Sequence, residues 1–364
     1  MRDVNRYAPA AVRLASASGM ALGLALLSSV PASAHGPVPD VAPTFGSLLF
    51  GWTFPPLPTL GIAITVGLWR WMVRRVDREH PGNTVPVRRS VAFFLGMAAL
   101  AVALLSGIER YDTTLFSVHM VQHVLLTMVA APLVALAAPI TLLLRVVSPE
   151  VRRRWILPVL HSRVVRVLAF PVVAWLVFAG VQWASHFTLL FDAALEDPIV
   201  HDLEHALFLA AGLLFWWPAV AADPAPWRMS HPARALYVFL QMPQNTFLAV
   251  VILGATTALY PHYATLGRTW PPTPLADQQT AAGIMWLAGD AIFLVAIMAI
   301  VWGWMRAERR DAQRNDRRAA EELVGIRVRE RTLAERRARN RAMDLDLDRD
   351  LDLDEAQSGS GASR

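Results

Sequence analysis

Long apolar segments separated by short polar ones make up most of the chain. Seven such segments follow residue 56. They are residues 57–73, 90–108, 115–144, 167–190, 203–220, 235–259 and 281–304. Each is close to or longer than the roughly 20 residues that a helix needs to cross a bilayer, where the backbone must satisfy its own hydrogen bonds. The pattern predicts an all-α membrane protein with a seven-transmembrane-helix bundle over residues 57–304.

The third segment, 115–144, is too long for one straight span. It contains Pro132 and Pro139, and proline inside an apolar helix usually causes a kink. We therefore expect a kink here, or an outer end that lies within the protein interior.

The first 34 residues have the features of a secretory signal peptide. A weakly basic start precedes an apolar stretch, and an A-x-A sequence at 32–34 fits a cleavage site. An uncleaved signal anchor is the alternative. Both versions place His35 and the segment 35–56 outside the cytoplasm.

Arginine is concentrated in alternate loops of this predicted bundle. The loops after the first, third and fifth spans hold thirteen arginines, and the other three loops hold two. Arginine-rich loops remain in the cytoplasm. The distribution therefore predicts a multi-pass protein with its mature N-terminus outside and its C-terminus in the cytoplasm.

Composition limits the partners and the metal ligands that the chain can have. The chain is 55% hydrophobic and 17% charged, with a net charge of +5. Because the arginines flank apolar segments, the expected partner is the lipid bilayer and not nucleic acid. The chain has no cysteine, which excludes disulfides, iron–sulfur clusters and thiolate metal sites. Any metal must be bound by His, Met, Asp, Glu or backbone oxygen.

The chain becomes polar after residue 304. Residues 305–343 are rich in arginine with interspersed acids, which predicts a solvated cytoplasmic helix beside anionic lipid headgroups. Residues 344–364 contain an Asp-Leu repeat followed by serine and glycine. This composition predicts an acidic, low-complexity, disordered tail.

Two histidine pairs are the main candidates for chemistry. His119 and His123 lie at the start of the third predicted span, and His201 and His205 lie at the start of the fifth. Residues four apart share one helix face, about 6 Å from each other. Both pairs lie on the extracytoplasmic side, so they can converge on one metal ion, and imidazole suits Zn, Cu, Fe and Ni. The alternative is packed histidines with ordinary hydrogen bonds.

Other residues near these pairs have more open roles. His186, near the outer end of the fourth span, is a further ligand, an outer-shell group or an interfacial residue. His35 would chelate Cu(II) through its amine and ring if cleavage made it the N-terminus, or else it belongs to a polar disordered end. Asp202 and Glu204 are expected to point away from the histidine face, as hydrogen-bond acceptors for the rings or as solvated groups.

Polar groups inside the last two spans form a second set of candidates. Asp290 lies near the middle of the last span, where a carboxylate is costly unless it is paired. Gln244 and Asn245 lie mid-span in the sixth helix and can bond to it, either for function or to hold helices together. Met120 is a candidate soft ligand or a packing residue.

Residues 52–304 resemble the CtaG family of seven-helix cytochrome c oxidase assembly factors. The resemblance rests on His119-Met-Val-Gln-His123, on His201-Asp-Leu-Glu-His205 with the segment 207–218, on Trp183 and His186, on Tyr260-Pro-His-Tyr263, and on Asp277-Gln-Gln with Gly283-Ile-Met-Trp286. A single-span copper chaperone that shares the family's name depends on cysteines, which this chain lacks.

The resemblance implies a non-enzymatic role in assembling a haem–copper oxidase in a bacterial plasma membrane, with a link to copper delivery. The implied partners are terminal oxidase subunits and other copper chaperones. The oxidase's own copper centre is ligated by histidine inside the membrane, so a donor with histidines at a similar depth can pass the ion sideways. Nothing in the spacing selects copper over zinc.

Three other functions are compatible with the same residues. The polar set around Asp290 is also typical of a copper or proton transporter. A zinc-dependent membrane hydrolase needs three protein ligands and an open position for water. A haem protein would need one axial histidine from each pair.

Overall fold

A computed structural model describes residues 38–360 of the chain. The structure is 81% helix, and the described residues form no strand. The expected targeting segment at 1–34 and His35 lie outside the described residues. The prediction of an all-α membrane protein is confirmed.

The first half of the chain forms two long helices and several short ones. They are α1 (Phe45–Phe50), α2 (Pro56–Glu79), α3 (Val87–Leu105), α4 (Gly107–Tyr111), α5 (Phe116–Val124), the π-helix π1 (Leu125–Ala130), α6 (Ala131–Ala137) and α7 (Pro139–Val146).

The second half begins with a run of short helices and ends in one long helix. These elements are α8 (Pro149–Val151), the π-helix π2 (Arg152–Ile156), α9 (Leu157–Leu160), α10 (Arg163–Leu168), α11 (Pro171–Phe187), α12 (Leu189–Glu196), α13 (Pro198–Val220), α14 (His231–Phe239), α15 (Gln241–Leu253), α16 (Pro261–Thr265) and α17 (Pro274–Ser360).

Within the described residues, five helical segments are long and apolar enough to cross a membrane. They are Val87–Tyr111, Phe116–Val146, Pro198–Val220, His231–Leu253 and Pro274–Arg341. Helices α11 and α12, bent by 69° relative to each other, make a sixth if they form one broken span. Helix α2 is 24 residues long but is not among them, since prolines, threonines and Arg70 dilute its apolar residues. The structure thus gives five or six spans where the sequence predicts seven.

The long third segment is interrupted, as its prolines predict. Six residues adopt a π-helix in π1, and Ala138 between α6 and α7 has a left-handed backbone with φ 58°. Pro139 then starts α7, whose free N-terminal amides donate to the Asp223 carboxylate from Ile140 at 3.0 Å and Thr141 at 2.6 Å. A side chain from a distant loop therefore satisfies the polar backbone exposed by the break.

Helix α13 packs closely against the segment that precedes this break. A Cβ on Gly212 would lie only 3.1 Å from the Cα of Thr127 and the Cβ of Ala131. The indole of Trp216 donates to the Thr127 carbonyl at 2.8 Å, an interaction that the π-helical turn leaves accessible. A small residue and a hydrogen bond, both typical of helix contacts in membranes, thus bring the two histidine-bearing helices together.

The chain divides into two compact units at Val301 and Trp302. Helix α17 runs to Ser360, whereas the sequence predicts disorder from residue 344. No glycine or proline occurs between residues 326 and 358, and leucine, glutamate and alanine favour helix, so the acidic repeat contains no strong helix breaker.

Candidate metal centre

The four paired histidines form one buried cluster. The ring centroids are 4.2 Å apart for His119 and His123 and 4.3 Å apart for His201 and His205. Across the two helices, the separations are 5.8 Å between His119 and His201 and 6.2 Å between His123 and His205. All four are at most 5% exposed. The structure therefore brings together the two pairs that the sequence singles out.

Two carboxylates, Glu109 on α4 and Asp112 in the turn after it, extend this cluster. Asp112 accepts a hydrogen bond from His201 Nε2 at 3.0 Å. Ligand atoms of Glu109, Asp112, His201 and His205 all lie within 4.8 Å of one another. Sequence reasoning missed both acids, although their position shortly before the first histidine pair along the chain is a usable signal. Four oxygen and nitrogen donors at this separation can surround one metal ion.

Gln122 orients His205 from the same side. Its amide nitrogen donates to Glu109 Oε2 at 2.6 Å and to the Ala103 carbonyl at 3.0 Å. The amide oxygen then faces His205 Nε2 at 2.9 Å, so that ring nitrogen donates the proton. The lone pair of His205 is consequently on Nδ1, and a hydrogen bond of this type fixes the tautomer of a metal-binding histidine.

Glu204 joins the first histidine pair, which corrects the expectation that it points away. Its side chain is 2% exposed, and Oε2 lies 3.8 Å from His119 Nε2. Ligand atoms of His119, His123 and Glu204 lie within 4.8 Å of one another. Residue 204 is three positions after His201 and thus shares its helix face. Asp202, on the opposite face, is exposed as predicted.

These three side chains have buried polar atoms without hydrogen bonds. Among the described residues, neither ring nitrogen of His119 or His123 and neither carboxylate oxygen of Glu204 has a hydrogen-bond partner. Leaving a buried donor or acceptor unsatisfied costs about 1–3 kcal/mol, and more for a charge. Each ring can offer one nitrogen to a given ion, so a bound cation would account for one nitrogen of each histidine and for the carboxylate. The donor set therefore fits a metal that accepts imidazole and carboxylate.

His186 lies beside the cluster but takes part in neither ligand group found among the described residues. It is 4% exposed, and its Nδ1 donates to the Gln182 carbonyl at 2.7 Å. Met120, 2% exposed, lines a small cavity together with His123 and His186. His35 is outside the described residues, so its proposed chelation of copper stays a prediction.

Asp277, at the start of α17, holds the helix that carries the first histidine pair. Its carboxylate accepts from the Phe116 amide at 2.7 Å, and from the Ser117 amide at 3.3 Å and hydroxyl at 2.5 Å. These are the free amides of the first turn of α5, which a carboxylate caps well. The cap fixes where α5 begins and hence where its histidines lie.

Helix α16 holds the turn that supplies Asp112. The Tyr263 hydroxyl donates to the Asp112 carbonyl at 3.0 Å, and His262 Nε2 donates to the Thr113 carbonyl at 2.9 Å. Burial, with the nearby carboxylates, raises the pKa of Tyr263 well above its usual value, so its hydroxyl stays a donor. His262 thus holds this turn and does not belong to either ligand group found among the described residues.

Asp290 is hydrogen-bonded to α15. The Thr246 hydroxyl donates to it at 2.8 Å and the Asn245 amide at 3.4 Å. Gln244 instead pairs with Gln241. The predicted bond from Asn245 is present, that from Gln244 is absent, and Thr246 is a partner that sequence reasoning missed. These bonds join two spans and satisfy the carboxylate inside the bundle.

A family model described as "Cytochrome c oxidase caa3 assembly factor (Caa3_CtaG)" matches residues 66–307. The match includes both histidine pairs, Glu204 and Asp277. It excludes the first 65 residues and the polar end of the chain.

Curated relatives occur in mycobacteria. An uncharacterized protein of Mycobacterium bovis is 32% identical over 285 residues, which are 76% of this chain and 43% of that protein. An uncharacterized protein of Mycobacterium leprae is 33% identical over 267 residues, which are 71% of this chain and 40% of that protein. The chain therefore spans less than half the length of these relatives. No solved structure matches it significantly.

Proposed function

The chain belongs to the cytochrome c oxidase caa3 assembly factor family, and from this premise we propose that it is a membrane-embedded, non-enzymatic assembly factor that carries copper. Copper is its cargo and binds at the cluster of His119, His123, His201, His205 and the adjacent carboxylates. The proposed partners are subunits of the terminal oxidase and the copper chaperones that load the site. The proposed location is a bacterial plasma membrane.

The buried atoms without hydrogen bonds are the observation that carries this proposal. In a cluster that served only to pack helices, the imidazole nitrogens would be hydrogen-bonded to carbonyl or hydroxyl groups, as His262 is to the Thr113 carbonyl. Instead, His119, His123 and Glu204 direct their ligand atoms at one another. Imidazole and carboxylate bind both copper and zinc, and the family's role in oxidase assembly favours copper.

A transfer step fits this donor set. Imidazole ligands on the donor protein can be exchanged for imidazole ligands on an oxidase with little change in bond type. Transfer within the apolar region avoids exposing the ion and its ligands to water. The helix cap by Asp277 and the hydrogen bond from Tyr263 to the Asp112 carbonyl support ligand geometry, as surrounding hydrogen bonds do in other metal sites.

The proposed topology includes seven spans, with α2 as the first and α11 with α12 as one broken span. Residues 38–56 and the histidine cluster then lie on the outer side, and the C-terminal helix lies in the cytoplasm. The arginine asymmetry of the loops supports this orientation. Copper from extracytoplasmic chaperones would arrive on the outer side, where this topology places the metal site.

Deletion of the gene, followed by complementation, tests the function in cells. We expect the wild-type chain to restore caa3 oxidase activity, and the His119→Ala variant to reach the membrane without restoring it. His161→Ala is the matched control, because His161 is exposed in the loop between α9 and α10. Full restoration by His119→Ala, or failure of added copper to influence oxidase assembly, would contradict the proposal.

A further inference from the structure

A small cavity lies next to the histidine cluster, inside the bundle. Its volume is about 20 Å³, enough for about one water molecule or a single ion. Three methionines and two histidines are among the residues around it. They are Met120, Met128, Met285, His123 and His186.

Both histidines have a buried ring nitrogen without a hydrogen-bond partner among the described residues. His186 donates its Nδ1 proton to the Gln182 carbonyl at 2.7 Å, which leaves the lone pair on Nε2. This Nε2 is buried and has no hydrogen-bond partner among the residues the structure describes. A ring whose other nitrogen donates to a backbone carbonyl is the usual arrangement of a metal-binding histidine.

The methionines give the cavity a preference for a different kind of metal ion from the one that the histidine cluster favours. Met120, Met128 and Met285 are 2%, 4% and 7% exposed, and each brings a thioether. Thioethers are soft ligands that select Cu(I), whereas carboxylates favour harder cations. Five residues from α5, π1, α11 and α17 thus supply thioether and imidazole around one ion-sized space.

His123 lines the cavity and also belongs to the ligand group of His119 and Glu204. It therefore lies at the boundary between the two sets of ligands. An ion can pass from one set to the other by exchanging ligands around His123, without leaving the protein interior and without a change of oxidation state.

We propose that this cavity, lined by Met120, Met128, Met285, His123 and His186, is a Cu(I)-binding site. The inference rests on the proposed function in one respect: it treats the copper bound in this cavity as part of the same cargo pathway. It assigns the oxidation state of the cargo inside the protein as Cu(I), and it assigns His186 and the methionines as ligands.

The site is tested under anaerobic conditions by letting purified full-length protein compete for Cu(I) with the chromophoric chelator bicinchoninate. Each methionine is replaced by leucine, singly and together, because leucine keeps the volume and removes the sulfur. We expect the triple variant Met120→Leu, Met128→Leu, Met285→Leu to lower Cu(I) affinity about tenfold or more. Zn(II) binding by the carboxylate-containing cluster should be unchanged.

Met97→Leu is the matched control, since Met97 is a buried methionine in a different part of the core. In X-ray absorption, wild-type protein loaded with Cu(I) should show copper–sulfur scattering, and the triple variant should not. Wild-type affinity in the triple variant, or the absence of sulfur scattering in wild type, would show that the methionines only pack.

The outcome is separable from that of the proposed function. Methionine-dependent Cu(I) binding in a protein whose loss leaves oxidase assembly intact would support the site and contradict the assembly role. Conversely, copper-dependent assembly that is unaffected by the triple variant would support the assembly role and overturn the inference.

Discussion

Glu204 shows at the level of one residue why the cluster implies a cation. Its carboxylate is buried beside His119, and neither oxygen has a hydrogen-bond partner among the described residues. A carboxylate in such a position is costly unless a positive charge or a proton compensates it. A coordinated metal ion supplies that charge.

The Glu204→Gln variant tests this interpretation, because glutamine keeps the shape and removes the charge. We expect it to lower metal affinity about tenfold or more, the effect usual for residues that support a metal site. Titration of the purified variant with Zn(II) or copper measures the change. Asp202→Asn, at the exposed neighbouring position, should bind as wild type does. Equal affinities for both variants would contradict a role for Glu204 in binding.

The sequence revealed the four histidines but not their acidic partners. The i, i+4 spacing places two rings on one helix face, and that local geometry holds in any helix. Glu109 and Asp112 reach the second pair only through the way α4 and the turn after it pack, which depends on contacts between distant parts of the chain. Glu204 was predictable from its i+3 spacing to His201, and the expectation that it faces away was wrong.

At the scale of helices, Gly212 controls how closely α13 approaches π1. Replacing it with valine would force atoms into contact with Thr127 and Ala131. Overpacking of this kind costs about 1–3 kcal/mol. We expect Gly212→Val to lower the thermal stability of the detergent-solubilised protein and to weaken metal binding, because it separates the histidine pairs.

Gly180→Val is the control for this prediction, since no atom lies within 4 Å of a Cβ at that position. It tests the same change of residue at a helix position without a close neighbour. Similar thermal transitions in the two variants would show that the close approach of α13 to π1 at Gly212 does not matter for stability.

Helices were predicted well where the length of an apolar segment determines them. They were predicted less well where contacts between helices determine them. Five of the predicted spans overlap helices that meet the length and apolarity of a membrane span. The break at Ala138 follows from Pro139. The π-helix at 125–130 ends two residues before Pro132, whose missing N–H leaves the Thr127 carbonyl free. Only the packing of α13 places the Trp216 indole against that carbonyl.

For the whole molecule, orientation decides which side of the membrane the cluster faces. A reporter fused after Arg306 should behave as cytoplasmic, and one inserted after Gly267, in the loop between α16 and α17, as extracytoplasmic, because arginine-rich loops stay inside. Paired phosphatase and fluorescent-protein fusions measure this. Reversed signals would place the histidine cluster on the cytoplasmic side and contradict delivery from outside.

The polar end of the chain is predicted to be dispensable for the metal site. The family match ends at residue 307, and the acidic repeat lies far along the chain from every candidate ligand. Deleting residues 343–364 should leave membrane insertion and metal content unchanged, as measured by fractionation and elemental analysis. A large loss of either would assign a function to that segment.

The central claim is that the two histidine pairs, each within its own group of ligand atoms, act together as one metal centre. Metal content in a double-mutant comparison tests this claim most directly. Elemental analysis is made on purified wild type, His119→Ala, His205→Ala and the double variant. Ligands of one site are coupled, so their losses do not add. We predict that each single variant loses most of the metal and that the double variant is little worse. Full metal in both single variants, or losses that simply sum in the double, would contradict a shared site.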